Sequence, residues 1–171
     1  MPPCLPAILE TMRVLFVCMG NICRSPTAEA VMRRLVRDAG LEDRIGVDSA
    51  GTGGWHAGDP PDERAATAAA RRGVMLDGAA RQVRPDDFED FDLLIAMDRE
   101  NLRGLLALAP DEAAGDKVRL LREFDPASAG APDLDVPDPY YGGDRGFETV
   151  LDMTEAACRG LLDELRAAGR V

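Results

Sequence analysis

The chain has 171 residues, 46% hydrophobic and 30% charged, with a formal net charge of −11. This fits one domain with a sizeable core and argues against nucleic-acid binding, since so acidic a surface is repelled by phosphate backbones. There are four cysteines, two of them (Cys18 and Cys23) five residues apart. With no secretory signal, disulfide framework, membrane-length apolar run or zinc spacing, the expected compartment is the cytosol, without membrane contact or a metal.

Residues 1–11 hold three prolines and no basic residue and read as a flexible N-terminal extension to a single domain over residues 12–171. Val14-Leu15-Phe16-Val17 is an apolar, β-favouring run, a buried first strand ending at Cys18. Gly20 and Asn21 then mark a tight loop, and Ser25-Pro26 pairs a favoured N-cap residue with the residue most at home in a first helical turn. The spacing predicts a helix over Pro26 to Ala39, with Ala30, Val31, Leu35 and Val36 inward, Arg33, Arg34 and Arg37 on a solvated face, and Gly40 as the stop. Ile45 to Ala50 forms a second short strand, so the unit is β-α-β, parallel and right-handed.

Trp55 to Pro61 is a loop, and the Ala-rich stretch from Pro61 to Arg72 reads as a helix. Phe91 to Met97, after an acidic loop, is a third strand, and Asp98 caps a helix running through Leu108. Val118 to Leu121 is a short fourth strand, followed from Phe124 to Asp138 by a long loop rich in Pro and Asp. Phe147 to Ala168 closes the chain as a helix, with Cys158 on its core face. The fold class is therefore α/β, a single domain with a four-stranded parallel sheet, helices on both faces and a phosphate-binding loop after the first strand.

That loop carries the chemistry. A short loop between a strand end and a helix start aims several backbone N–H groups into one concavity, and the helix dipole adds a positive field suited to a phosphate-like anion. A field of this kind favours the thiolate form of a cysteine, the form that attacks. Cys18 stands at the base of the concavity, with Arg24 placed to grip two anion oxygens through its planar fork. Residues 1–40 hold five Arg against three acidic residues, a balance of +2 that leaves −13 for the remainder, so the anion site is a local field on an acidic protein.

Cys18-Met19-Gly20-Asn21-Ile22-Cys23-Arg24-Ser25 resembles the signature of the low-molecular-weight protein tyrosine phosphatases. The likeness continues through Asp48-Ser49-Ala50-Gly51-Thr52, Trp55-His56, Ala80-Arg81-Gln82-Val83 and Asp138-Pro139-Tyr140-Tyr141, from about Met12 to Cys158. It implies hydrolysis of phosphotyrosine and small aryl phosphates through a cysteinyl-phosphate, without a cofactor, by a monomer that also takes phosphate or vanadate. Cys18 would attack, and the amides of Met19, Gly20, Asn21, Ile22, Cys23 and Arg24 with the Arg24 guanidinium would hold the phosphoryl oxygens. Ser25 would hydrogen-bond the sulfur, Asn21 would support the loop with Ser49 as partner, and Trp55 would shape the rim. Asp138 would supply the proton, because Pro139 restricts its backbone and Tyr140 and Tyr141 flank an aryl ring.

His56, the only histidine, reads as a loop-fixing or exposed residue rather than a base. Cys23 lies close enough in sequence to bridge to an oxidised Cys18 and protect it. Where relatives commonly carry a His before Ala-Arg-Gln, this chain has Gly78, which removes one expected brace from Asn21. Two other readings compete: an arsenate reductase on the same fold, which needs further redox cysteines downstream where only Cys158 is found, and a catalytically inactive phosphotyrosine-binding module, which would have lost Cys18, Arg24 or Asp138.

Overall fold

The computed structural model describes residues 10–171, so nearly all of the expected N-terminal extension lies outside the described residues. Four strands, β1 (Met12–Cys18), β2 (Ile45–Gly51), β3 (Leu93–Ala96) and β4 (Val118–Leu120), form one parallel sheet in the order β2-β1-β3-β4. The helices are α1 (Arg24–Asp38), α2 (Glu63–Ala70), α3 (Asp87–Asp90), α4 (Arg99–Leu108), α5 (Glu112–Gly115) and α6 (Asp144–Ala167), with 3₁₀ turns at Leu121–Phe124 and Pro126–Ser128.

Val14, Leu15, Phe16 and Val17 of β1 are all 0% exposed, because this central strand has helices over both faces. That is why its apolar run is continuous rather than alternating. Val14 and Phe16 join the larger core under α1, α2 and α6, whereas Leu15 and Val17 join a smaller one with Phe88 and Leu105. Each such side chain contributes about 1.5–3 kcal/mol through burial.

Several boundaries differ from the sequence-based expectation, for local reasons. Helix α1 begins at Arg24, before the predicted Ser25 cap, with Cys23 at the N-cap and no side-chain capping bond. Helix α2 begins at Glu63 because the Asp62 carboxylate accepts from the Arg64 N–H. Four-residue α3 and α5 were not expected; three of the four residues of α3 are acidic, yet Phe88 is buried. Strand β3 pairs only over Leu93–Ala96, Leu121 belongs to a 3₁₀ turn rather than β4, and α6 starts at Asp144.

The topology places the loop after β1. The chain leaves β1 for β2 on one side and crosses to β3 on the other, so the carboxyl end of β1 is the point of reversal where open α/β sheets take ligands. The connection between β4 and α6 returns across this edge, where the Val136 N–H donates to the Met97 carbonyl at 2.8 Å. Asp138 therefore lies over the loop. Among the described residues, no helix is long and apolar enough to cross a membrane.

Candidate active site

The loop from Met19 to Cys23 is held with its carbonyls outward. The carbonyls of Cys18, Met19 and Ile22 accept from the N–H groups of Thr52 (2.9 Å), Gly53 (3.0 Å) and Asp62 (2.8 Å). The amides consequently face the concavity, joined by the uncapped N-terminus of α1, whose first turn has no acidic residue to weaken its positive end. At Gly20 a Cβ would stand 3.0 Å from His56 Cδ2, so any larger residue would press the His56 ring aside.

The Cys18 sulfur is 2% exposed in residue terms and has two polar neighbours. The Asn21 N–H donates to it at 3.3 Å, and Ser25 Oγ lies at 3.0 Å. Since Ser25 Oγ accepts from Asn21 Nδ2 at 2.8 Å, its own hydrogen can turn to the sulfur at 3.0 Å or to the more distant Ala50 carbonyl at 3.4 Å. The expected N-cap is thus absent because this hydroxyl serves Cys18 instead.

Asn21 is the only non-glycine with positive φ among the described residues, at 58°. Its amide fixes that conformation from three sides. Nδ2 donates to Ser25 and, at 3.0 Å, to Ser49 Oγ on β2, and Oδ1 accepts from the Arg81 N–H at 3.0 Å. The brace lost at Gly78 therefore leaves Asn21 with a full set of bonds, the Arg81 backbone supplying the third. Arg81 itself is pinned by ion pairs to Asp48 and to Asp87, which is 1% exposed.

Arg24, 2% exposed, lies between two carboxylates. Its Nη1 donates to Asp98 Oδ2 at 2.6 Å and to the Val136 carbonyl at 3.0 Å, and its Nη2 is 3.5 Å from Asp138 Oδ2. Burial alone would push its pKa down, but the Cys18 sulfur and the Asp98 and Asp138 carboxylates outweigh it and hold Arg24 above its ordinary value. Asp98 was expected only as a cap; Oδ1 does cap α4, accepting from Asn101 N–H at 2.7 Å, while Oδ2 orients Arg24. Asp138 Oδ1 accepts from the Tyr140 N–H at 3.0 Å.

Cys18, Arg24 and Asp138 line one cavity of about 160 Å³ with Met19, Gly20, Ile22, Cys23, Trp55 and His56. Tyr140 and Tyr141 complete its wall, edge to face at 4.9 Å, Tyr141 standing almost fully in solvent at the outer rim. Trp55, another lining residue, is also exposed. His56 Nδ1 lies 3.1 Å from Asp59 Oδ2, a contact within its own loop that fits the loop-fixing role. Asn21, Ser25 and Ser49 do not line the cavity but support it from behind.

Burial drives the Cys23 thiol up to about 12, with Asp62, Cys18 and Asp138 adding to the effect. Cys158 is fully buried, its Sγ 3.9 Å from the Ala28 carbonyl, and is not part of the cavity. Among the described residues no group of three or more His, Cys, Asp or Glu could hold a metal ion.

An α/β sheet with a Cys-x5-Arg anion loop at its switch point defines a class of cysteine-dependent phosphoryl-transfer domains. The family model for low molecular weight phosphotyrosine protein phosphatases matches residues 13–171, and the chain belongs to that family. A low molecular weight protein-tyrosine-phosphatase of Streptomyces coelicolor is 57% identical over 156 residues, 91% of this chain and 94% of the relative. The human low molecular weight phosphotyrosine protein phosphatase is 43% identical over 155 residues, 90% and 96% of the two chains. A crystal structure of a protein tyrosine phosphatase from Entamoeba histolytica with Hepes in its active site superposes with a TM-score of 0.87 at 40% identity, covering 93% of this chain and 99% of that one.

Behind the loop a second cavity of about 170 Å³ is lined by Asn21, Glu29, Arg33, Asp48, Asp77 and Gly78 among others. Glu29, 7% exposed, is raised to about 7, chiefly by burial; Arg33 at 3.2 Å opposes the shift, and Asp48 and Asp77 reinforce it. A proton held more tightly in the folded state stabilises the fold fully below about pH 4.5, and that contribution disappears as pH rises through about 7. Glu29→Gln, which cannot ionise, should therefore match wild type near pH 4.5 and exceed it in stability at pH 8. Urea unfolding across this range tests the expectation; a pH-independent difference between the two proteins would contradict it.

Proposed function

We propose that this protein is a protein-tyrosine phosphatase that hydrolyses phosphotyrosine and small aryl phosphates through a phosphate ester of Cys18. The observation that carries the reading is the shared cavity: a cysteine sulfur at the base of an inward-facing amide loop, with a buried arginine and a loop carboxylate beside it. Cys18 Sγ attacks phosphorus in line, the S–P bond forms, and the ester P–O bond breaks. The loop amides and Arg24 carry the charge on the three non-bridging oxygens. Asp138 in its acid form passes its proton to the departing phenol oxygen. As a carboxylate it then takes a proton from the water that attacks phosphorus, and sulfur leaves with the Ser25 hydroxyl donating to it.

Tyr140, Tyr141 and Trp55 hold the aryl ring, so a ring-bearing ester spans from rim to sulfur and an alkyl phosphate does not. Phosphate and vanadate compete in the same cradle. The cavity is complete within one chain, which supports action as a monomer, and the substrates are phosphotyrosine proteins or small aryl phosphates in the cytosol.

Removal of the proton donor should matter most when the leaving oxygen is basic. Asp138→Ala is expected to slow single-turnover phosphorylation of Cys18 by about 10²–10⁴ for phosphotyrosine peptides, and much less for nitrophenyl phosphates. A series of aryl phosphates should show a steeper dependence on leaving-group pKa in the variant; parallel slopes would assign the proton to another residue.

The second expectation concerns oxidation. Peroxide converts Cys18 to a sulfenic acid, and the Cys23 thiol then displaces water from it to form a disulfide. Wild type should recover with dithiothreitol while Cys23→Ser proceeds to irreversible acids; equal recovery of both would refute a protective Cys23. Because the Cys23 thiol is held near 12, disulfide closure should also quicken as pH rises.

A further inference from the structure

The segment from residue 137 to 143, which carries Asp138 and both tyrosines, is lightly tethered. Among the described residues its polar contacts with the rest of the molecule are the Arg24–Asp138 ion pair at 3.5 Å, one hydrogen bond from Arg64 Nη1 to the Tyr140 carbonyl at 3.1 Å and, at its far end where it enters α6, the Gly146 N–H donating to the Gly143 carbonyl at 3.0 Å. Arg64 was not among the expected site residues and does not line the cavity.

Its guanidinium reaches in two directions. Nε and Nη2 donate to the two oxygens of Asp62 at 3.1 and 3.0 Å, a bidentate fork. Asp62 in turn donates its N–H to the Ile22 carbonyl of the phosphate loop at 2.8 Å. On the other side the bond to Tyr140 fixes the residue whose N–H holds Asp138 Oδ1 at 3.0 Å. The guanidinium also lies 5.3 Å from the Tyr140 ring centroid and 5.0 Å from that of Phe147 on α6. A continuous path of short polar contacts thus runs from the phosphate loop through Asp62, Arg64 and Tyr140 to the acid.

We propose that Arg64 is a positioning residue that locks the acid-bearing segment to the phosphate loop and so sets where Asp138 delivers its proton. The inference rests on Asp138 being the proton donor. Its weight comes from what substrate binding would do: phosphoryl oxygens in the Arg24 fork would displace the Arg24–Asp138 contact, leaving Arg64 as the polar side-chain anchor beside the acid. Lysine cannot replace it, because a single ammonium does not span a carboxylate fork and a carbonyl on opposite sides. The pair with Asp62 is partly exposed, 44% for the Arg64 side chain, so its loss should scarcely alter global stability.

The test compares Arg64→Gln and Arg64→Lys with Asp138→Ala and with the double variant Arg64→Gln/Asp138→Ala, by single-turnover phosphorylation with a series of aryl phosphates. Arg64→Gln should lose about tenfold on phosphotyrosine-like leaving groups, the scale of a misplaced catalytic group, and less than about twofold on dinitrophenyl phosphate. Arg64→Lys should recover little of that loss. Inhibition by inorganic phosphate should stay within about twofold of wild type, because the cradle is intact. In the double variant Arg64→Gln should add nothing to the loss from Asp138→Ala. Equal losses across leaving groups, or additive losses in the double variant, would overturn the role of Arg64. Parallel slopes for Asp138→Ala and wild type would instead overturn the proton donor, and this inference with it.

Discussion

The left-handed turn at Asn21 is the constraint on which the site depends. A non-glycine residue at φ 58° carries a strain cost of order 1–3 kcal/mol and persists only when its surroundings over-determine it. Three hydrogen bonds do so, from Asn21 to Ser25 at the start of α1, to Ser49 on the neighbouring strand, and from the Arg81 backbone. With Asn21 locked, its N–H points at the Cys18 sulfur and the loop carbonyls turn outward to Thr52, Gly53 and Asp62. Inward amides are the geometric consequence. An anion cradle therefore exists before any substrate arrives, and no reorganisation is needed as charge develops.

Charge is distributed to the same end. The chain as a whole carries −11, yet the cavity concentrates a buried guanidinium, the α1 N-terminus and loop amides around one sulfur. Arg24 is oriented by Asp98 from behind, which leaves its second nitrogen toward the cavity and Asp138. Asp98 splits its two oxygens between capping α4 and holding Arg24, so rigidity in the helix becomes rigidity in the fork. Cys23, one residue before Arg24, is kept as a thiol by burial and by nearby carboxylates. The acidic surface and the anion site coexist because the positive groups act over a few ångströms.

Short-range features were legible in the sequence. The apolar run of β1, the turn residues after Cys18, and the alternation of strands and helices all follow from local pattern, and the structure reproduces them. What local pattern could not convey is contact across long separations and between backbone groups. Asp98 reads as a cap in any helix-start analysis; its second oxygen meets Arg24 only after β1 and β3 pair. The Arg81 N–H that completes the Asn21 bonds belongs to the peptide, which has no residue-type signature. Ser25 reads as a cap because cap statistics describe helices whose first amides need a side-chain acceptor, whereas here those amides face the cavity and Cys23 holds the N-cap position. Arg64 looks like any solvated helix arginine until the returning loop lays the Tyr140 carbonyl against it.

Covalent transfer to Cys18 is the central claim, and trapping the intermediate tests it most directly. Rapid acid quench of the enzyme during turnover of an aryl phosphate, followed by mass analysis of its peptides, should find one phosphate per chain on the peptide that contains Cys18, and none in Cys18→Ser. A phosphoryl adduct on another residue, or steady release of phosphate by Cys18→Ser at the wild-type rate, would contradict the account.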